Sequence, residues 1–339
     1  MKIFVTRLIP EAGLDILRKE AEVDIWPGPQ DAGPEKKEVI KGVKQADVLL
    51  SLLTEPIDRE VMEANPQLLG IAQYAVGFNN IEVQAATDLG LPVTNTPGVL
   101  TDTTADMAWA LIMAVARNIV PGHDYMTAGR YKIWGPKLLL GGDVSPGGSG
   151  EPKTLGIVGF GRIGQAVWQR SKGFNMRVVA YDPPLRELIE KTEGVSYREL
   201  PDLLRESDFV SLHVNLTPET HHIIGPQELN LMKPTAYLIN TSRGPAVDEA
   251  ALVSALKQGQ IAGAGLDVYE NEPQMAAGLA ECDNVALMPH LASASRQTRD
   301  KMATMAATNA LSLLKGEKAL NTVNPEVYET AAYQSRKRT

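Results

Sequence analysis

Cysteine is nearly absent from this chain: Cys282 is the only one in 339 residues. That excludes an intrachain disulfide and a cysteine-rich metal site, and it suits a reducing compartment. An excess of positive charge is lacking as well. With 33 Lys and Arg against 41 Asp and Glu, the formal net charge is -8. Non-specific nucleic-acid binding needs a basic face that displaces counterions, so no nucleic-acid partner is expected. Long apolar runs are missing too, since no window approaches the roughly 20 apolar residues that span a bilayer. The first apolar run, in MKIFVTRLIPEAGLDILRKE, is broken by Arg7 and Pro10, which does not suit a secretory signal. None of His123, His213, His221 and His222 has metal-ligand spacing with a partner, so no metal is expected either. These absences point to a soluble, cytoplasmic protein.

What is present reads as a globular α/β chain. The composition is 44% apolar and 22% charged, and the length suggests two domains. Apolar runs at 2–6, 46–52, 68–74 and 91–94 predict strands. Between them, amphipathic patterns near 10–20, 34–44, 58–65 and 80–89 predict helices, and such alternation predicts a parallel sheet. A long helix is expected at 101–118, with Thr101 and Asp102 as capping candidates and more apolar residues than one stripe can hold. The segment GGDVSPGGSGEP (141–152), with five glycines, reads as a flexible surface loop. A second series of strands follows at 154–158, 177–181, 209–213, 236–240 and 262–267. A packing helix at 293–314 is then closed by Gly316.

The strand at 154–158 runs into G-x-G-x-x-G. Gly159 permits a tight turn, Gly161 lets the backbone approach a pyrophosphate, and Gly164 allows close helix–strand packing. A helix opening at Arg162 and Ile163 presents free amides and its positive dipole end to the phosphates. The next strand ends at Asp182, 18 residues after Gly164. A carboxylate there accepts hydrogen bonds from ribose hydroxyls and repels a 2′-phosphate, which favours NAD over NADP, although Arg186 lies nearby. A turn residue before Pro183 is the plainer reading of Asp182.

Three later segments carry candidate chemistry: NTSRG (240–244), GLDVYENEP (265–273) and MPHLA (288–292). The first two follow apolar strands, and residues just past strand ends line the ligand crevice of a parallel sheet. Arg243, Glu272 and His290 would then share an edge with the glycine loop. A guanidinium is a permanently charged fork suited to a 2-keto acid. A protonated imidazole can supply the proton as hydride adds to a carbonyl. A carboxylate orients that imidazole and favours its charged form. Singly, these residues could be a helix cap, a solvated loop residue and a structural histidine.

The chain resembles the D-isomer-specific 2-hydroxyacid dehydrogenases, nearest to their glyoxylate/hydroxypyruvate reductase branch. The resemblance rests on YAVGFNNI (74–81), NTPGVLTDTTAD (95–106), the glycine loop, NTSRG, GLDVYENEP and PHLASAS. It implies a catalytic Arg243, Glu272 and His290, and a substrate loop giving the Val76 and Gly77 amides to a carboxylate. It also implies Thr104 near the nicotinamide, with Thr217, Thr241 and Asp267 on the cofactor; His213 ends a strand and borders it. Asn79 stands where the family often has Asp, and Asn215 replaces a common proline. Trp134 is read as an ordinary packing residue rather than part of a partner's pocket.

By that resemblance the fold is two Rossmann/flavodoxin-like parallel-sheet domains with a cleft between them. Residues 1–101 and 292–339 would form a discontinuous substrate domain, residues 102–291 would bind NAD, and the protein would be a homodimer. The expected reaction is NADH-dependent reduction of a small 2-keto acid, glyoxylate or hydroxypyruvate. D-lactate and D-3-phosphoglycerate are alternative substrates, although the run LGIAQY (69–74) has no cation to meet a phosphate. Formate dehydrogenases share the fold but pair their histidine with glutamine. A non-enzymatic NAD-sensing corepressor is the other alternative, against which the chain shows only a short basic end, Arg336-Lys-Arg.

Overall fold

The computed structural model describes residues 1–29, 31–147 and 150–336. Gly148 and Ser149 of the glycine-rich segment, and Lys337 and Arg338 of the basic end, lie outside the described residues. The chain forms two compact units, Met1–Leu100 with Ala294–Thr339, and Thr101–Ser293. Both are α/β units built on fully parallel sheets.

The first unit carries β1 (Lys2–Val5), β2 (Glu22–Ile25), β3 (Val48–Ser51), β4 (Gly70–Gln73) and β5 (Val93–Thr94), in the order β2-β1-β3-β4-β5. Every residue of β3 and β4 is buried, which is why they read as continuous apolar runs. No run signals β2, a half-exposed edge strand whose Glu22 and Asp24 pair with Lys2. The helix Arg296–Leu314 opens on Ser295, whose hydroxyl accepts from the Thr298 amide, and closes before Gly316 at φ 70°. It buries Met302, Ala306, Ala310 and Leu314 in one cluster with Ile3, Val5, Val48 and Leu50. Helix Glu11–Arg18 approaches it so closely that a Cβ on Gly13 would lie 2.7 Å from the Ala303 carbonyl oxygen.

The second unit carries β6 (Thr154–Val158), β7 (Arg177–Tyr181), β8 (Val195–Tyr197), β9 (Phe209–Leu212), β10 (Tyr237–Asn240), β11 (Gly263–Leu266) and β12 (Val285–Leu287). Their order is β12-β11-β10-β9-β6-β7-β8. Strand order reverses between β6 and β9, and this switch point is where open parallel sheets bind ligands, beyond the strand carboxyl ends. Helix Thr101–Ala116 packs beside the sheet with Leu111, Ile112 and Val115 in a cluster shared with Leu155, Ile157 and Ile239. Trp109 donates to the Val167 carbonyl at 3.1 Å and stacks on Phe174.

Several expectations need correction. Thr101 and Asp102 lie in the first turn of their helix rather than ahead of it, and Asp102 pairs with Arg170 at 3.1 Å. Trp134 is 71% exposed and so is not a packing residue of this chain. A further helix, Ile119–Thr127, carries no signal because none of its residues is buried. Strands β8 and β12 have three residues each, too few to show a period.

Candidate active site

The glycine loop leaves β6 at the switch point. Gly159 takes φ 92°, and a Cβ there would come within 2.6 Å of the His213 carbonyl oxygen at the end of β9. A Cβ on Gly164 would overlap the Gly159 carbonyl, so only glycine lets the helix Arg162–Ser171 sit this close. Gly161 is different: a Cβ there meets nothing within 4 Å. Open space therefore lies in front of a helix N-terminus that has no side-chain cap. Arg162 and Ile163 occupy its first turn, where amides lack intrahelical partners and attract anions.

Around that space the polar groups are held but not all satisfied. Asp182 Oδ2 accepts from the Phe160 amide at 2.8 Å, while its second oxygen has no partner among the described residues. Arg186, which could have offset that charge, bonds Glu190 at 2.9 Å and lies over the Tyr197 ring. His213 Nε2 bonds Ser211 Oγ at 2.9 Å, and Nδ1 is buried with no partner among the described residues. Burial pushes the His213 pKa down to about 3, so its ring is neutral. Thr241 Oγ1, past the end of β10, is likewise buried and unpartnered. Orphaned buried polar atoms are rare in folded chains. With the open glycine loop they fit a nucleotide cofactor bearing a pyrophosphate and hydroxyl groups. Thr104 is buried in its helix. Thr217 is exposed, and its hydroxyl shares a bond with Thr220 at 3.3 Å.

The other three candidates leave the same edge of the same sheet. Arg243 follows β10 on a turn shaped by Asn240, whose side chain donates to the Arg243 carbonyl at 2.9 Å and accepts from the Ser242 amide at 3.0 Å. The guanidinium donates to the Ser242 carbonyl at 2.7 Å and is half-buried. Burial pulls its pKa below the usual arginine value, and the nearby Glu272 charge counters that. Glu272 accepts from the Tyr269 amide at 3.1 Å through Oε1 and from His290 Nδ1 at 2.9 Å through Oε2. Burial pushes the Glu272 carboxyl up. The hydrogen bond and charge of His290, the Tyr269 amide and the Arg243 charge outweigh it, leaving the carboxyl below its ordinary range.

His290 follows β12 in the left-handed region, at φ 54°. A non-glycine residue there costs about 1–3 kcal/mol unless its surroundings fix it. The fixing group is Asp267. Its carbonyl accepts from the His290 amide at 2.9 Å, and its fully buried carboxylate accepts from the Leu291 and Ala292 amides at 2.7 and 2.8 Å. Burial raises the Asp267 pKa, with the two amides opposing that rise. Asp267 thus braces the loop that carries His290.

In the first unit, β4 delivers Val76 and Gly77. The Thr96 amide bonds the Ala75 carbonyl at 2.9 Å, Asn95 Nδ2 the Val76 carbonyl at 2.7 Å, and Gln73 Nε2 the Gly77 carbonyl at 3.3 Å. The loop's carbonyls are thereby taken, while the Val76 and Gly77 amides have no partner among the described residues. Two adjacent free amides form a concavity suited to an anion. Reading the residues in order overlooks Gln73, Asn80, Asn95 and Asn240, which shape these loops. Gln73, Asn95 and Asn240 are amide side chains at or just beyond a strand end, which is the signal that marks them, while Asn80 lies in the turn after β4 and has no such signal.

A family model described as D-isomer specific 2-hydroxyacid dehydrogenase, NAD binding domain, matches residues 109–292. A glyoxylate reductase from Korarchaeum cryptofilum is 54% identical over 328 residues, covering 96% of both chains. One from Pyrococcus horikoshii is 48% identical over 330 residues, again covering 96% of each. Among solved structures, a protein from Thermus thermophilus superposes with a TM-score of 0.87 at 43% identity, over 95% of this chain and 100% of that one. An NADPH-dependent glyoxylate/hydroxypyruvate reductase from Sinorhizobium meliloti, solved with NADP and malonate, gives a TM-score of 0.81 at 30% identity. That match spans 96% of this chain and 97% of the other.

Proposed function

Since this chain belongs to the D-isomer-specific 2-hydroxyacid dehydrogenases, we propose that it reduces a small 2-keto acid, glyoxylate or hydroxypyruvate, with NADH, and that His290 is the acid. The observation that carries this reading is the 2.9 Å contact of His290 Nδ1 with Glu272. With Nδ1 committed to the carboxylate, Nε2 is the nitrogen that delivers a proton. A bound reduced nicotinamide supplies the hydride that goes to the carbonyl carbon. His290 gives its Nε2 proton to the carbonyl oxygen as charge grows there, and in the oxidative direction takes it back from the hydroxyl. Arg243 holds the substrate carboxylate and polarises the carbonyl. Glu272 orients the imidazole and balances its charge.

The same reading gives the Thr101–Ser293 unit the nucleotide and the discontinuous unit the substrate. Val76 and Gly77 would take the substrate carboxylate through their amides. Gly159, Gly161, Arg162, Ile163 and Gly164 would hold the pyrophosphate, and Asp182 the ribose. Thr104, His213, Thr217, Thr241 and Asp267 would line the rest of the cofactor site. The Asp182 carboxylate favours NAD over NADP, the cofactor of the Sinorhizobium relative.

A homodimer completes the proposal. Ile119, Val120, Met126, Ile133, Trp134 and Leu140 are exposed on one stretch of the second unit, an apolar surface of the kind that marks an interface. Assay of a 2-keto acid panel with NADH and NADPH tests the function. Highest kcat/KM is expected for glyoxylate or hydroxypyruvate with NADH. Equal or better kcat/KM with 3-phosphohydroxypyruvate overturns the substrate assignment, and NADPH used as well as NADH overturns the cofactor preference.

A further inference from the structure

Away from Arg243, Glu272 and His290, the second unit assembles another set of metal-ligating side chains. His221 and His222 close a turn that Thr220 ties down. The Thr220 hydroxyl donates to the Asn215 carbonyl at 2.5 Å and accepts from the Thr217 amide at 2.8 Å. The two imidazole centroids lie 4.0 Å apart with a 32° tilt. Glu270, 48 residues on, brings Oε1 to 2.7 Å from His222 Nε2. One ligand atom from each of the three residues lies within 4.8 Å of the others. Glu270 is distant in sequence from His221 and His222, so no local spacing reveals the group.

We propose that His221, His222 and Glu270 bind one divalent transition-metal ion, zinc being the best fit. Two imidazoles and a carboxylate, with a fourth position open, make up a recurrent zinc donor set. Imidazole nitrogen selects zinc, nickel or copper over magnesium and calcium. Donors on a tetrahedral ion with bonds of about 2.0–2.2 Å lie roughly 3.4 Å apart, so the His222–Glu270 pair must open from 2.7 Å while separations of up to 4.8 Å close. The side chains have that freedom, since His221 is exposed and those of His222 and Glu270 are 34% and 25% exposed. Glu270 is braced from behind, its amide donating to Glu249 Oε2 at 2.8 Å and its Oε2 accepting from the Glu249 amide at 3.3 Å. Such outer-shell bonds orient metal ligands.

An ordinary His222–Glu270 hydrogen bond gives His221 no part, and that separates the two readings. A bound ion would fasten the 215–222 turn to the 269–272 segment that bears Glu272. His222 also donates its amide to the Pro245 carbonyl at 2.8 Å, so the loop beyond Arg243 would be tied in as well. The ion would act as a stabilising clasp, independent of hydride transfer.

The test uses the tag-free full chain, stripped with chelator and titrated with zinc chloride by calorimetry, with cobalt chloride absorption in parallel. One ion per chain is expected, with the visible bands of low-coordinate cobalt and a raised Tm. His221→Ala should weaken binding by about 100-fold or more, beyond the loss typical of an outer-shell change. The His221 ring has no hydrogen bond among the described residues, so the metal-free variant should melt like the parent. Glu270→Gln should weaken binding too. No saturable zinc binding, or unchanged binding in His221→Ala, overturns the proposal.

Discussion

Glu272 and His290 stand 18 positions apart in the chain, and their side chains meet at 2.9 Å. They leave different strand ends, β11 and β12, which pair in parallel. The contact is therefore set by sheet register, and the buried Asp267 carboxylate steadies its histidine side.

If His290 is the acid, His290→Gln should lower kcat by about 10²–10⁴ while leaving NADH affinity within about twofold. Glu272→Gln keeps a hydrogen-bonding shape but loses the charge. A charge-assisted bond is worth about 1.5–3 kcal/mol, so kcat should fall about tenfold or more. Stopped-flow turnover with fluorescence titration of NADH checks both, and full turnover in His290→Gln would remove His290 from the acid's role.

The glycine loop predicts a contrast between neighbours. Gly161→Ala meets no protein atom within 4 Å, so Tm should stay within about 2 °C while the Kd for NADH rises about tenfold or more. Gly164→Ala collides with the Gly159 carbonyl and should cost about 1–3 kcal/mol of stability. Calorimetry and cofactor titration on the two variants separate ligand space from packing space.

Asp182→Asn retains an acceptor for the Phe160 amide and removes the negative charge. The ratio of kcat/KM for NADPH to that for NADH should rise about tenfold or more, because like charges side by side cost several kcal/mol. An unchanged ratio would remove Asp182 from the ribose site.

The His213 ring supplies a pH dependence. Its folded pKa is depressed, to about 3 from 6.5, so the unfolded chain binds that proton more readily. Its contribution is complete above pH 6.5 and is lost as pH falls toward about 3. His213→Gln should flatten unfolding free energy in that window, by on the order of a few kcal/mol at the acid end. Denaturant titrations of both proteins at several pH values measure the difference.

The sequence made the central elements legible because they are buried on both faces. Strands β3, β4, β6 and β9 are mostly apolar and buried at every residue, and the catalytic candidates follow strand ends. It concealed β2 and helix Ile119–Thr127, since both are substantially exposed and leave no apolar period. The site was legible where chemistry demands one residue type, as at Gly159 or His290. It was not legible where a residue works through geometry. The bracing role of Asp267 depends on a loop 24 residues away, and Glu270 meets His222 only once β11 is in place.

The helix Arg296–Leu314 has a bearing on biosynthesis. It belongs to the unit begun by the first hundred residues, yet the ribosome makes it only after the entire Thr101–Ser293 unit. Until then the sheet surface bearing Ile3, Val5, Val48 and Leu50 has no cover from that helix. The later-starting unit can mature first, and the earlier one must wait with sticky surface exposed to chaperones or to other nascent chains. Truncation before residue 296 should therefore yield a soluble nucleotide unit attached to an unfinished, aggregation-prone partner.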